Sequence, residues 1–206
     1  IEDLPKEVCN IVKERIKTIE KPLSKSIKID FKKPCIMGIL NVTPDSFYDG
    51  GRYIAKESAH SQFTKLVNDG AHIVDVGGES TRPGAKKISI KEEIRRVIPV
   101  IQSITKKKVL ISLDSRKPEV MSQALKLGIN FVNDVSGLRY SKKTFSLLRR
   151  SNLPFIIMHS ISDPKNMQND IKYDDVLLDV YDFFESQIEK CKKHSISLNN
   201  IIIDPG

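Results

Sequence analysis

Six short polar segments in the 206-residue chain each follow an apolar, β-branched run, and each carries side chains suited to ligand binding. The first starts at Asn41 and runs through Val42-Thr43-Pro44-Asp45-Ser46-Phe47-Tyr48-Asp49 to Gly50-Gly51. Its side-chain oxygens and bare N–H groups suit an anion or a hydrated cation. From the residues alone, a chain of Asx turns ending in a helix cap reads equally well. The second, Asp75-Val76-Gly77-Gly78-Glu79-Ser80-Thr81-Arg82-Pro83-Gly84, combines three features. Glycines admit a close ligand approach, Thr81 offers a hydroxyl, and the Arg82 fork matches pairs of phosphate oxygens. The plain alternative is a surface loop with an ion-paired arginine. After the third run comes Asp114-Ser115-Arg116-Lys117-Pro118. There Pro118 suits a helix start, and Asp114 is either a ligand group or that helix's cap. Asn133-Asp134, Met158-His159 and Asp204-Pro205-Gly206 complete the series. A single acid of this kind is more often structural than functional. Carboxylates and an amide recurring at successive strand ends suit a flat heterocycle with several N–H donors and carbonyl acceptors.

The elements that must hold these groups follow from the apolar pattern. The runs Ile36–Leu40, His72–Val76, Val109–Leu113, Ile129–Val132, Phe155–Met158 and Ile201–Ile203 lack polar alternation, as strands buried on both faces do. Helical spacing fills the gaps at Ala55–Asn68, Ile90–Ile104, Pro118–Leu127, Ser141–Arg150 and Asp174–His194. Alternating strands and helices imply an α/β fold with a parallel sheet. Polar groups at Asn41, Asp75, Asp114, Asn133-Asp134, His159 and Asp204 end nearly every strand, which favours a (β/α)8 TIM barrel over a doubly wound sheet. No Gly-x-Gly-x-x-Gly follows the first strand. Six strands are present and the last two of a barrel are missing from this sequence. Residues 1–33 stand apart: Val8–Ile19 has helical spacing closed by Pro22, and the polar stretch after it is connector-like. This part is either an N-terminal helix or a linker, and the barrel occupies 34–206.

Composition narrows the class. Hydrophobic residues at 39% and charged residues at 29% are ordinary for a soluble globular domain. The apolar runs are too short to cross a bilayer, and the first residues lack a signal-peptide pattern. Three cysteines (Cys9, Cys35 and Cys191) with no CxxC pair fit reduced thiols in a cytoplasmic protein. The net charge of +8 is carried by scattered lysines with no interleaved aromatic motif, which argues against a nucleic-acid binder.

NVTPDSF (Asn41–Phe47), GGESTRPGA (Gly77–Ala85) and DPG (Asp204–Gly206), with LDSRKPEV (Leu113–Val120), NDVSGL (Asn133–Leu138) and MHS (Met158–Ser160), make the sequence resemble the dihydropteroate synthases. The resemblance covers about 34–206 and implies a transferase of folate biosynthesis. Members join p-aminobenzoate to 6-hydroxymethyl-7,8-dihydropterin diphosphate and release diphosphate, with Mg²⁺. It further implies that Asp114, Asn133 and Asp204 bind the pterin ring, that Met158 lines its pocket, and that Asn41 helps to hold the metal. Thr81, Arg82 and Pro83 would form a loop near diphosphate and p-aminobenzoate, opposite Phe47 and Asp49. Asp49, Arg82, Phe47 and Asp114 would then carry catalysis. The family also uses a Lys on a seventh strand and an Arg and a His after the eighth, which this sequence does not contain. The natural polypeptide is therefore expected to continue past Gly206, to form a homodimer through late barrel helices, and to be open to fusion with an upstream hydroxymethyldihydropterin pyrophosphokinase. Sulfonamides would be its inhibitors. Two other classes stay open: a non-catalytic or truncated pterin-binding module, and a corrinoid-type methyltetrahydrofolate methyltransferase barrel, which would not need the two loops.

Overall fold

The computed structural model describes residues 5–10, 13, 33–43, 52–80, 87–105, 107–160 and 173–206, with side chains from 57 onward in the first long helix. Six strands run in parallel: β1 (Met37–Asn41), β2 (Ile73–Gly77), β3 (Leu110–Asp114), β4 (Phe131–Asp134), β5 (Phe155–Met158) and β6 (Ile201–Asp204). Helices α1 (Arg52–Asn68), α2 (Ile90–Ile104), α3 (Pro118–Lys126), α4 (Lys143–Ser151) and α5 (Val176–Lys193) connect them in turn. Strand order in the sheet is the sequence order, β1 to β6, without a reversal. A doubly wound sheet reverses at its switch point, so this winding is that of a (β/α) barrel.

Strand alternation divides the sheet into two faces. Leu40, Val74, Val76, Ile111, Leu113, Val132, Phe155 and Ile157 join the helices in one large buried cluster. The opposite, concave face holds a smaller cluster of Ile73 and Phe131 with Met37, Leu110 and Ile202. The helices are locally encoded: Ser89 Oγ accepts from Glu92 N to cap α2, Asp175 caps α5, and Pro118 occupies the first turn of α3. Lys117 is the N-cap of α3 and its side chain makes no capping bond, so the reading of Asp114 as that cap is excluded.

Several boundaries shift. β1, β2 and β3 each begin and end one residue later than the apolar runs, because the ladder continues into Asn41, Gly77 and Asp114. Asp75 is therefore interior to β2 and does not end it. β4 begins at Phe131 rather than Ile129, since Asn130 Oδ1 accepts from Ile111 N at 2.8 Å and holds the chain as a connection there. Burial on both faces fails at the sheet edges: Ile39 of β1 is 52% exposed and Ile203 of β6 is 54% exposed. Residues 6–10 are helical, a start two residues before the expected Val8–Ile19 helix, most of which lies outside the described residues. Cys35 and Cys191 carry free thiols, and burial pushes Cys191 up to about 11. Among the described residues no helix is long and apolar enough to cross a membrane.

Candidate functional site

Parallel register sets Asn41 beside Gly77, Gly77 beside Asp114, and Asp114 beside Asn133. Met158 pairs with Asp204 across the last two strands. All of these lie on the concave face at the C-terminal strand ends, where barrels build their sites. Gly77 is the gap in this row. A Cβ there would come within 3.1 Å of Asp114 Oδ2 and 3.6 Å of Asn41 Oδ1, so glycine keeps open the space between the two side chains.

The adjacent Asn133-Asp134 pair separates, because neighbouring strand residues face opposite ways. Asn133 points to the concave face, and its Nδ2 donates to Asp75 Oδ2 at 2.9 Å. Asp134 is fully buried on the helix side, where its Oδ1 accepts from the Ser136 amide at 2.8 Å and hydroxyl at 2.6 Å. His159 likewise turns away from the mouth. Its ring meets Phe183 edge-on at 4.9 Å, and burial, aided by Arg139, pulls its pKa down. Asp204 Oδ1 accepts from Gly206 N at 3.0 Å, which shapes the DPG turn. Phe47, Asp49, Thr81, Arg82 and Pro83 lie outside the described residues.

The electrostatics of the concave face are those of crowded acids. Burial raises the Asp75 carboxyl, with polar contacts from Ser112 and Asn133 pulling the other way. Asp114 is pushed well above the usual carboxylate range, first by burial and then by the charges of Asp75, Glu93, Asp134 and Glu79. Asp75 Oδ1 and Asn133 Oδ1 are buried without any hydrogen-bond partner. Unpaired buried acceptors are costly, so this face is poised to receive N–H donors.

A charged network beneath the mouth had no counterpart in the motif reading. Glu93 (1% exposed) of α2 accepts from Lys117 Nζ and from Ser115 Oγ, both at 2.5 Å. Lys117 Nζ also donates to Ile88 O at 3.0 Å and pairs with Glu79 Oε2 at 3.2 Å. Glu79 takes a further bond from Ile88 N at 3.1 Å and pairs with Arg116 at 3.2 Å. Arg116 lies over the Tyr140 ring at 5.2 Å. Close approach of α2 permits this: a Cβ on Gly78 would stand 2.7 Å from Val97 Cγ1. The sequence signal was Glu93 itself, a charge in register with the apolar stripe of Val97, Val100, Ile101 and Ile104.

Asn41 is exposed at the mouth, and no cluster of three or more His, Cys, Asp or Glu among the described residues could hold a metal. One amide oxygen is a poor resident metal site. It is an adequate one for Mg²⁺ that arrives with a diphosphate, since Mg²⁺ takes few protein ligands and keeps phosphate and water oxygens.

The dihydropteroate synthase of Escherichia coli K12 is 41% identical over 187 residues, covering 90% of this chain and 66% of that protein. A Yersinia pestis dihydropteroate synthase solved with a sulfonamide drug superposes with a TM-score of 0.81 at 36% identity, over 90% of this chain and 67% of that one. The Xanthomonas albilineans enzyme solved with 4-aminobenzoic acid gives 0.76 at 38% identity, over 84% and 62%. The chain thus spans about two thirds of the length of these three relatives, 66% in the Escherichia coli case. Residues 37–206 match the family model described as pterin binding enzyme, and the chain belongs to that family.

Proposed function

We propose that the protein condenses p-aminobenzoate with 6-hydroxymethyl-7,8-dihydropterin diphosphate to give 7,8-dihydropteroate and diphosphate. The observation that carries this reading is the single concave face that presents Asp114, Asn133, Met158 and Asp204, with Gly77 leaving open the space beside Asp114. Acceptors from two carboxylates and an amide match the N–H donors of an aminopyrimidinone edge, and Met158 supplies a soft apolar wall. The similarity to synthases solved with p-aminobenzoate and with a sulfonamide supports the second substrate and the inhibitor class.

In the proposed reaction the methylene C–O bond breaks and its electron pair leaves with diphosphate. The remaining cation is conjugated with the pterin ring, which the Asp114 and Asp204 carboxylates flank and stabilise. The arylamine lone pair forms the new C–N bond, and the nitrogen then loses a proton to solvent. Mg²⁺ held by Asn41 and the diphosphate would neutralise charge on the leaving group. Phe47, Asp49, Thr81, Arg82 and Pro83 are assigned to the loops that hold diphosphate and p-aminobenzoate and exclude water. Residues 1–33 are proposed as a helix or linker preceding the barrel at 34–206. A cytoplasmic homodimer and fusion to an upstream pyrophosphokinase belong to the same proposal.

The test is incubation of the protein with both substrates and Mg²⁺, following dihydropteroate and diphosphate. Equimolar appearance of the two supports the reading, and pterin binding without either product overturns it in favour of a binding module. Arg82→Ala separates the roles further. It should depress turnover by about 100-fold or more, the scale of losing one transition-state charge donor, with little change in pterin affinity. Equal losses in both would contradict the loop assignment.

A further inference from the structure

Asp75 has no part in the proposed reaction, yet it is 2% exposed and faces the same concavity. Its Oδ2 accepts from Asn133 Nδ2 at 2.9 Å, while its own Oδ1 and Asn133 Oδ1 are left buried and unpartnered. A side-chain amide has two orientations that exchange its donors for its acceptor. An ionised carboxylate only accepts, so it selects the orientation with the amino group turned toward it. The opposite orientation would set Asn133 Oδ1 against a carboxylate oxygen in a site with little water. Asn133 stands beside Asp114 in the ladder, and Asp114 is itself an acceptor.

We propose that Asp75 is a positioning residue that holds the Asn133 amino group and so turns the amide oxygen to the ligand, adding an acceptor beside Asp114 and selecting heterocycles with a row of N–H donors. The inference rests on the pterin reading for the identity of the ligand; the amide lock itself does not. Ligands presenting a carbonyl where a pterin presents its 2-amino group meet oxygen against oxygen. Without Asp75, Asn133 is free to turn its amino group outward and accept them.

The experiment compares 6-hydroxymethylpterin with the corresponding lumazine, in which the 2-amino group is a carbonyl, by calorimetry on the protein and its variants. Wild type should favour the pterin. Asp75→Leu should lower that preference by about tenfold or more, because a site built for one donor pattern rejects another only while its groups are held. Should the leucine variant not fold, the exchange Asp75→Asn with Asn133→Asp decides the matter. The amide at 75 then donates to the carboxylate at 133, whose second oxygen still faces the ligand, so affinity and preference should return to within about threefold of wild type, an energy below one ordinary hydrogen bond. A merely structural carboxylate at 75 predicts no such rescue. An exchanged variant no better than Asp75→Asn alone overturns the proposal. In the unliganded protein the Asn133 side-chain NH₂ protons should be slowed in exchange, and Asp75→Asn should change their signals. Fast exchange in wild type overturns the lock even if the protein binds no pterin, whereas slow exchange without pterin binding defeats only the ligand reading.

Discussion

Removing the charge of Asp114 is expected to stabilise the fold and disable the pocket together. Asp114 is partly exposed on the concave face, with its carboxyl pushed well above an unfolded value near 3.8 by burial and by four other carboxylates. For an acid raised in this way, folding is penalised at every pH above the unfolded value, and the penalty grows with pH until the folded value is passed. Each unit of difference costs about 1.4 kcal/mol, less whatever solvent at the mouth screens. Asp114→Asn keeps the shape and one acceptor oxygen while removing the repulsion from Asp75, Glu93, Asp134 and Glu79. A gain of even ~1 kcal/mol raises Tm by about 2–4 °C in a chain of this size. Thermal melts at neutral pH should show at least that rise, and the gain should shrink as the pH is lowered toward the ordinary carboxylate range. Pterin affinity should fall by about 10- to 150-fold, the equivalent of a charged hydrogen bond worth about 1.5–3 kcal/mol. A lower Tm, or a gain independent of pH, would refute the crowded-acid account. Unchanged pterin affinity would refute the ligand role.

Two further substitutions probe the parts on either side of Asp114. Lys117→Met removes the ammonium that pairs with buried Glu93, and should cost about 3–5 kcal/mol in denaturant unfolding, whereas the double variant with Glu93→Leu should recover most of that loss. A single variant as stable as wild type would show that the buried network adds nothing. Gly77→Ala puts a methyl 3.1 Å from Asp114 Oδ2, a side chain that can move aside. Pterin affinity should drop about tenfold, or about 1.4 kcal/mol, with Tm nearly unchanged; a large fall in Tm would make Gly77 a packing position instead.

The strands, the helices and the row of polar strand ends were legible because they are local. Apolar runs of strand length and Pro118 at a first turn need nothing beyond near neighbours in sequence. Asp114, Asn133, Met158 and Asp204 could be grouped before any coordinates because parallel strands bring their C-terminal ends together. Sidedness was another matter. Alternation requires Asn133 and Asp134 to face opposite ways, but only the register with Asp114 decides which one faces the concavity. The same holds for His159, whose place against Phe183 depends on how α5 packs. The least legible features join residues far apart in the chain. Asp75 meets Asn133, and Lys117 meets Glu93 and Glu79, through distances and burial that no window of sequence contains. Sequence alone determined most of the chemical groups that reach the strand ends, Asp75 of β2 being the exception. Tertiary structure decided which of them share a face, which are stripped of water, and which way an amide turns, because register, burial and charge act across strands and not along them.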